Sequence, residues 1–318
     1  MMKSLILFRG LLRPTALPRS RALLSVTHLF LAVLFLFPAV LFAGGDKAIY
    51  WSIMDGERQA GYLLGTIHSE DPRVVDFPES FLEQLRSNQV FAMEMVPDLP
   101  TLKKLNEYMH YQDGTSLESH VGPERFVKVS KLLSSHYQVP ADWLESMKVW
   151  AVVMTLSVPP PKTGFFMDFS LSLRASGSGL RVVGLESLDQ QLAFLEDMPA
   201  SQQLELLDQA LADHDRVREL HDRMVDGYLA GDLQALRKEA EELMDQLTLE
   251  TKTYFIEQGV DARNHRMLAS ILPLLAESTV FVAVGALHLP GDQGLVSLLR
   301  KNGYILKPEP LPLASPDF

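Results

Sequence analysis

The chain has 318 residues, no cysteine, 29 Lys and Arg against 40 Asp and Glu, and a formal charge of −11. An acidic balance of this size argues against a nucleic-acid partner and against adhesion to anionic lipid, since both need a basic face. The absence of cysteine excludes disulfides and thiol catalysis, so a core must hold the fold.

The first 43 residues read as a targeting segment. Lys3, Arg9, Arg13, Arg19 and Arg21 form a basic start without an acidic residue, and Leu23 to Ala43 is almost wholly apolar. Ala43-Gly44-Gly45 supplies small residues for cleavage. The apolar run also reaches the length needed to cross a bilayer core of ~30 Å. A cleaved signal peptide or a retained N-terminal anchor is therefore expected, with the following residues exported. Without those five basic groups 24 cations face 40 acids, a balance of −16. The 275 residues from Gly44 to Phe318 suffice for one large domain, or a domain with an insertion.

Residues 48–54 and 60–67 predict two strands around Asp55-Gly56-Glu57, a strong hairpin signal. Pro78 to Ser87 reads as a short helix, and Gln89 to Met95 as a buried strand carrying Glu94 between two methionines. Residues 100–157 are helical in pattern and stop at Pro159-Pro160-Pro161. Gly164-Phe165-Phe166-Met167-Asp168 leads into a further helix to Ala175, and Leu180 to Glu186 is a strand ending on a carboxylate. Ser201 to Gln246 is amphipathic and charge-laced. Asp261 opens a helix to about Leu275 carrying Arg263 and Asn264; then come a strand to Gly285, a helix at 292–301 and a last strand at Tyr304-Ile305-Leu306. Strands at both ends with helices between them predict an α/β fold: a mixed central sheet from N- and C-terminal segments, with a helical insertion at about 99–258. That charged insertion is expected to be solvated and to cover or flank the cleft.

Two phrases of one form, Gly65-Thr66-Ile67-His68 and Gly285-Ala286-Leu287-His288, each close an apolar strand. Glycine three residues before histidine permits close backbone approach where a strand leaves the sheet. Neutral imidazoles and a carboxylate are donors for an open divalent-metal site, and parallel strands bind ligands at their carboxyl ends. His68, Glu94 and His288 are thus candidate metal ligands. Glu186 could join them or act as the base that activates water. A lone histidine after a strand is more often a hydrogen-bonded structural residue; two in one frame keep both readings open. Glu94 in an apolar strand needs a partner. Arg263 and Asn264 read either as helix-end residues or as an anion-stabilising and an orienting group. His110, His120, His136, His214 and His221 lie in polar stretches and read as exposed. His265, beside Arg263, stays ambiguous.

GYLLGTIHSEDPRV, Phe91-Ala92-Met93-Glu94-Met95, GLESLDQQL, ARNHRM and FVAVGALHLPGDQGLVSLLRKNGY together resemble the TraB/GumN/Tiki family, from about Ile49 to Leu306. The resemblance implies a fold shared with erythromycin-esterase-like hydrolases and haem-binding ChaN-like lipoproteins. It implies an exported metal-dependent hydrolase, most simply a peptidase acting on peptide or protein substrates. The implied cofactor is a divalent transition ion (Mn, Co or Zn). The implied metal and catalytic core is His68, Glu94 and His288, with Arg263 and Asn264 nearby and Glu186 in a family-typical Gly-Leu-Glu phrase. The competing reading is a non-catalytic extracytoplasmic binder of a peptide, haem or metal, using the same cleft. Membrane contact is expected only through the N-terminal segment.

Overall fold

Apolar residues on both faces of the hairpin start the sheet. In a computed structural model that describes residues 47–311 and 313, β1 (Tyr50–Asp55) and β2 (Arg58–Thr66) pair antiparallel across Gly56-Glu57, with Gly56 at φ +60°. That left-handed conformation suits glycine in a two-residue hairpin turn. The register shifts between Ile53 and Met54, where the hairpin carries an irregularity.

Four further strands follow: β3 (Val90–Met93), β4 (Arg181–Gly184), β5 (Val280–Gly285) and β6 (Ile305–Glu309). The sheet order is β4-β3-β5-β2-β1-β6. β4, β3, β5 and β2 run parallel, whereas β1 is antiparallel to both β2 and β6. β5 therefore enters between β2 and β3 and forms the centre of the sheet. Its six residues are all buried, as expected for a parallel strand covered on both faces. The α/β architecture with a mixed sheet is as the patterning predicts.

Two apolar clusters divide the interior. The first wraps the sheet, with Leu63, Phe91, Phe281 and Val282 at its heart and helix Ala262–Glu277 contributing Met267, Ile271 and Leu275. The second lies in the helices after β3. It joins Leu105, Leu133, Trp150, Leu192, Leu207 and Phe255, and it reaches Met95 and Leu287. The segment expected as a solvated helical insertion thus packs around a core of its own, and it also lends β4 to the sheet. Most of its charges are exposed on the helix surfaces, with Asp168 and Glu186 buried. Just before helix Ala262–Glu277, Phe255–Asp261 forms a π-helical turn. Such turns are rare and tend to sit at functional sites.

Among the described residues no helix is long and apolar enough to cross a membrane. The N-terminal targeting segment lies outside the described residues.

Candidate functional site

The four parallel strands end on one edge of the sheet, and each predicted site residue on a strand follows one of those ends. Leu185 N–H donates to Met93 O and Glu186 N–H to Glu94 O, both at 2.8 Å, so the chains leaving β3 and β4 stay paired and set the two carboxylates side by side. β2 and β5 pair with Gly65 opposite Val284 and Thr66 opposite Gly285. The two Gly-x-x-His phrases, 220 residues apart, are thereby neighbours. A Cβ on Gly65 would stand 2.8 Å from Ala286 Cα, a contact real side chains do not make. Close approach is what glycine provides here.

Glu94 is 6% exposed and reaches across to β5, where Oε1 accepts the Gly285 N–H at 2.8 Å. Its Oε2 accepts from Gln191 Nε2 at 3.2 Å and from Arg263 Nη2. Arg263, wholly buried, also donates to Glu186 Oε2 from Nε at 2.8 Å, with Nη2 2.7 Å from the same oxygen as an ion pair. Arg266 closes the other Glu186 oxygen at 3.1 Å. Charge-assisted contacts of this kind are the strong ones, and burial makes the cation obligatory for its carboxylates. Burial alone would lower the Arg263 pKa, but Glu94 and Glu186 together hold it above the usual range, so the guanidinium stays charged. Burial raises the Glu94 pKa against the opposing Arg263 charge and Gly285 N–H.

Asn264 stands one residue on. Its Nδ2 donates to Gln293 O at 2.8 Å, which leaves Oδ1 facing His288 Nδ1 at 2.7 Å. An amide oxygen only accepts, so the network assigns the His288 proton to Nδ1 and the lone pair to Nε2. Nε2 lies 3.8 Å from Glu94 Oε1. Burial, then the Arg263 charge, pushes the His288 pKa well below the usual range and keeps the ring neutral.

His68, 1% exposed, stacks on Phe166 with ring centres 3.8 Å apart. Its Nδ1 is 3.8 Å from Asp168 Oδ2, while Asp168 Oδ1 accepts from the Thr66 hydroxyl. Burial lowers the His68 pKa despite Asp168. The segment carrying Phe166 and Asp168 is tied to the residues after His68: Met167 N–H donates to Ser69 O at 3.0 Å, and Glu70 accepts the N–H groups of Thr163 and Gly164 at 2.7 and 2.9 Å. Sequence reasoning missed Asp168. Its signal was the one that exposed Glu94, a carboxylate set among large apolar residues. His221, expected to be exposed, is instead half-buried against the His68 backbone, and His110 and His214 are buried. His214 and His221 turn inward on helical segments whose other faces are polar, and His110 does so just after a helix, where it bridges to Met147; a linear reading does not separate these cases.

The two predicted histidines thus each meet a carboxylate at one edge, His288 the predicted Glu94 and His68 the unpredicted Asp168. The pairs sense one another, since the Asp168 charge helps raise the Glu94 pKa. The donor chemistry suits a divalent transition ion: two neutral imidazoles, buried carboxylates, and His288 turned by Asn264 in the way outer hydrogen bonds orient metal-binding histidines. Among the described residues, however, no group of three or more His, Asp or Glu stands close enough to hold one ion.

Three metalloproteases are similar to the chain. The "Metalloprotease TIKI homolog" of Nematostella vectensis is 25% identical, "Metalloprotease TIKI2" of Xenopus tropicalis 24% and "Metalloprotease TIKI1" of Danio rerio 23%. Each match covers 78% of this chain but only 65%, 58% and 61% of the respective relative, less than two thirds of their length. No solved structure matches the chain. A family model, the TraB/PrgY/gumN family, matches residues 49–308, and with both Gly-x-x-His phrases inside that span the chain belongs to this family.

Proposed function

We propose that this protein is an exported metal-dependent hydrolase that cleaves peptide bonds in peptide or protein substrates. The observation that carries the reading is the meeting, on adjacent parallel strand ends, of His288 and Glu94 with Arg263 and Asn264 packed behind them. The metalloprotease relatives supply the reaction class. His68, Glu94 and His288 would hold the ion once the two histidine–carboxylate pairs close on it, since as they stand no three of these groups are near enough to share one ion, with Asp168 as the carboxylate nearest His68. A bound divalent ion would polarise a carbonyl and make water acidic enough to act as a nucleophile near neutral pH.

The chain's own groups divide the remaining work. Glu94, with its pKa raised by burial, is suited to take a proton from water and return it to the leaving amine. Arg263 has a buried Nη1–H without a hydrogen-bond acceptor among the described residues, a donor suited to a developing oxyanion. Glu186 holds Arg263 in place, and Asn264 fixes the His288 tautomer. The second core begins at Met95, next to Glu94, and includes Leu287, next to His288. The helices of residues 99–258 therefore serve as the cover of the site and set substrate choice. With His68 and His288 each 1% exposed, substrate enters when that cover moves.

The test is metal analysis of purified protein, followed by peptide-library cleavage with and without chelator. Metal-dependent cleavage, lost in His68→Ala and His288→Ala together with the metal, is expected. Cleavage that survives in metal-free variants would overturn the metal role. Failure of the wild type to bind any ion would favour the binding-protein reading. For export, fractionation is expected to find the protein outside the cytoplasm; full-length protein in the soluble cytoplasm would refute it.

A further inference from the structure

Beside His68 the helical layer is incompletely filled. A cavity of about 70 Å³ lies between Ile67, Leu156, Leu206, Ala210, Leu220 and Met244. Close-packed interiors hold few voids larger than one water, and at ~10–15 Å³ per water this one has room for roughly five. Its wall adjoins the site at Ile67 and His221. Ile67 is the residue before His68, and His221, on another wall, sits against the His68 backbone. Much of the remaining wall comes from helices Ala200–Asp213 and Val217–Leu229, part of the proposed cover, and the rest from Leu156 and the residues after it and from Leu243 to Leu247.

The lining selects its occupant. Carbon surface dominates, and among the described residues no Lys or Arg lines the cavity to receive an acidic group. The polar groups are few: Ser157, Gln209, Asp213 and His221. A largely apolar lining of this kind favours apolar groups over charged ones. Room for about five waters suits the four carbons of a leucine side chain, whereas the nine ring atoms of an indole exceed it.

We propose that this cavity receives one aliphatic side chain of the substrate, at a position flanking the bond to be cleaved. The inference rests on the peptidase reading above and adds the side chain that reading leaves open. Ala210, on helix Ala200–Asp213 and outside the catalytic groups, is the position from which to fill the void. Ala210→Leu adds carbons where space exists and keeps a good helix former.

The experiment uses full-length protein and peptides differing at one position by Gly, Ala, Leu, Trp or Asp. The wild type is expected to prefer Leu over Gly, Trp and Asp by at least ~10-fold in kcat/KM, the scale that a few buried methylenes provide. Ala210→Leu is expected to erase that preference. Leu220→Ala, which widens the same void, is expected to shift the preference towards Trp. Far-UV circular dichroism and a thermal midpoint establish that each variant is folded. Cleavage without side-chain preference, or a preference that both folded variants leave unchanged, overturns the cavity assignment and leaves the peptidase reading standing. A wild type that cleaves no peptide overturns the peptidase reading and this inference with it.

Discussion

Replacing Arg263 with alanine tests how the site is held together. The guanidinium is wholly buried and is shared by two buried carboxylates, at 2.8 and 2.7 Å from Glu186 and in direct contact with Glu94. After its removal Glu186 keeps Arg266 at 3.1 Å. Glu94 keeps only neutral donors, the Gly285 N–H and Gln191. Breaking a buried pair by deleting one partner costs ~3–5 kcal/mol, a large part of the ~5–15 kcal/mol that holds a typical domain folded. Urea unfolding at pH 7.5 is expected to show a loss of this order. The loss also carries a pH signature. With Arg263 gone, nothing cationic opposes the burial that already raises the Glu94 pKa above its ordinary 4.5. The folded variant then binds a proton that the unfolded chain releases, so its stability falls as pH rises through the raised pKa and recovers on acidification. The deficit against wild type is expected to shrink between pH 7.5 and pH 5. A second variant, Arg263→Met with Glu94→Gln, removes the stranded charge and is expected to regain part of the loss, a coupling of ~0.5–3 kcal/mol. A loss below ~1 kcal/mol for Arg263→Ala, the worth of a surface pair, would refute the buried-network argument.

Three further outcomes follow from the same geometry. Gly65→Ala drives a Cβ to 2.8 Å from Ala286 Cα and Leu289 Cδ1, and is expected to destabilise by ~1–3 kcal/mol, read by urea midpoint; an unchanged midpoint would deny the tight contact of the two phrases. Asn264→Ala is expected to release His288 from its Nδ1–H tautomer, visible in ring-nitrogen NMR, and to lower metal affinity or turnover by ~10–100-fold; an unchanged ring spectrum would sink the orienting role. His68 and His288 are held below their ordinary 6.5, so the unfolded chain binds protons first and stability drains as pH falls below that value, by at most ~1.4 kcal/mol per pH unit for each ring. Because Glu94 opposes this trend, the test is the difference in slope between wild type and a His68→Gln, His288→Gln double variant; equal slopes from pH 7.5 to 5.5 would refute it.

The strands were legible because buried parallel strands are unbroken apolar runs, and the Asp-Gly turn announced the hairpin. Glu94 betrayed itself as a carboxylate between methionines. The strand order was not legible: nothing local in Val280–Gly285 says that it enters between β2 and β3. The role of Arg263 was hidden for a related reason. At a helix start it reads as an end-capping charge or an anion binder, and only the pairing of the chains beyond β3 and β4 reveals two carboxylates waiting for it. Asp168 lies 100 residues from His68 and shows itself only when the loop held by Glu70 folds back. The same limit applies to the ligand set, where chain order suggested one trio and the fold arranges two histidine–carboxylate pairs.

The central position of β5 has a consequence for how the site comes into being. β5 supplies the Gly285 N–H that holds Glu94 Oε1, leads into the turn bearing His288, and separates β2 from β3. Until β5 docks, Glu94 lacks one of its donors, His288 is remote, and β2 and β3 have no common neighbour. Pairing Gly61 with Val280 also closes a loop of more than 200 residues, an entropic cost that must be met before the buried contacts reward it. A chain lacking β5 would therefore lose the centre of the sheet and every contact between the two Gly-x-x-His phrases, so the groups proposed for hydrolysis meet only in a chain whose fold is complete.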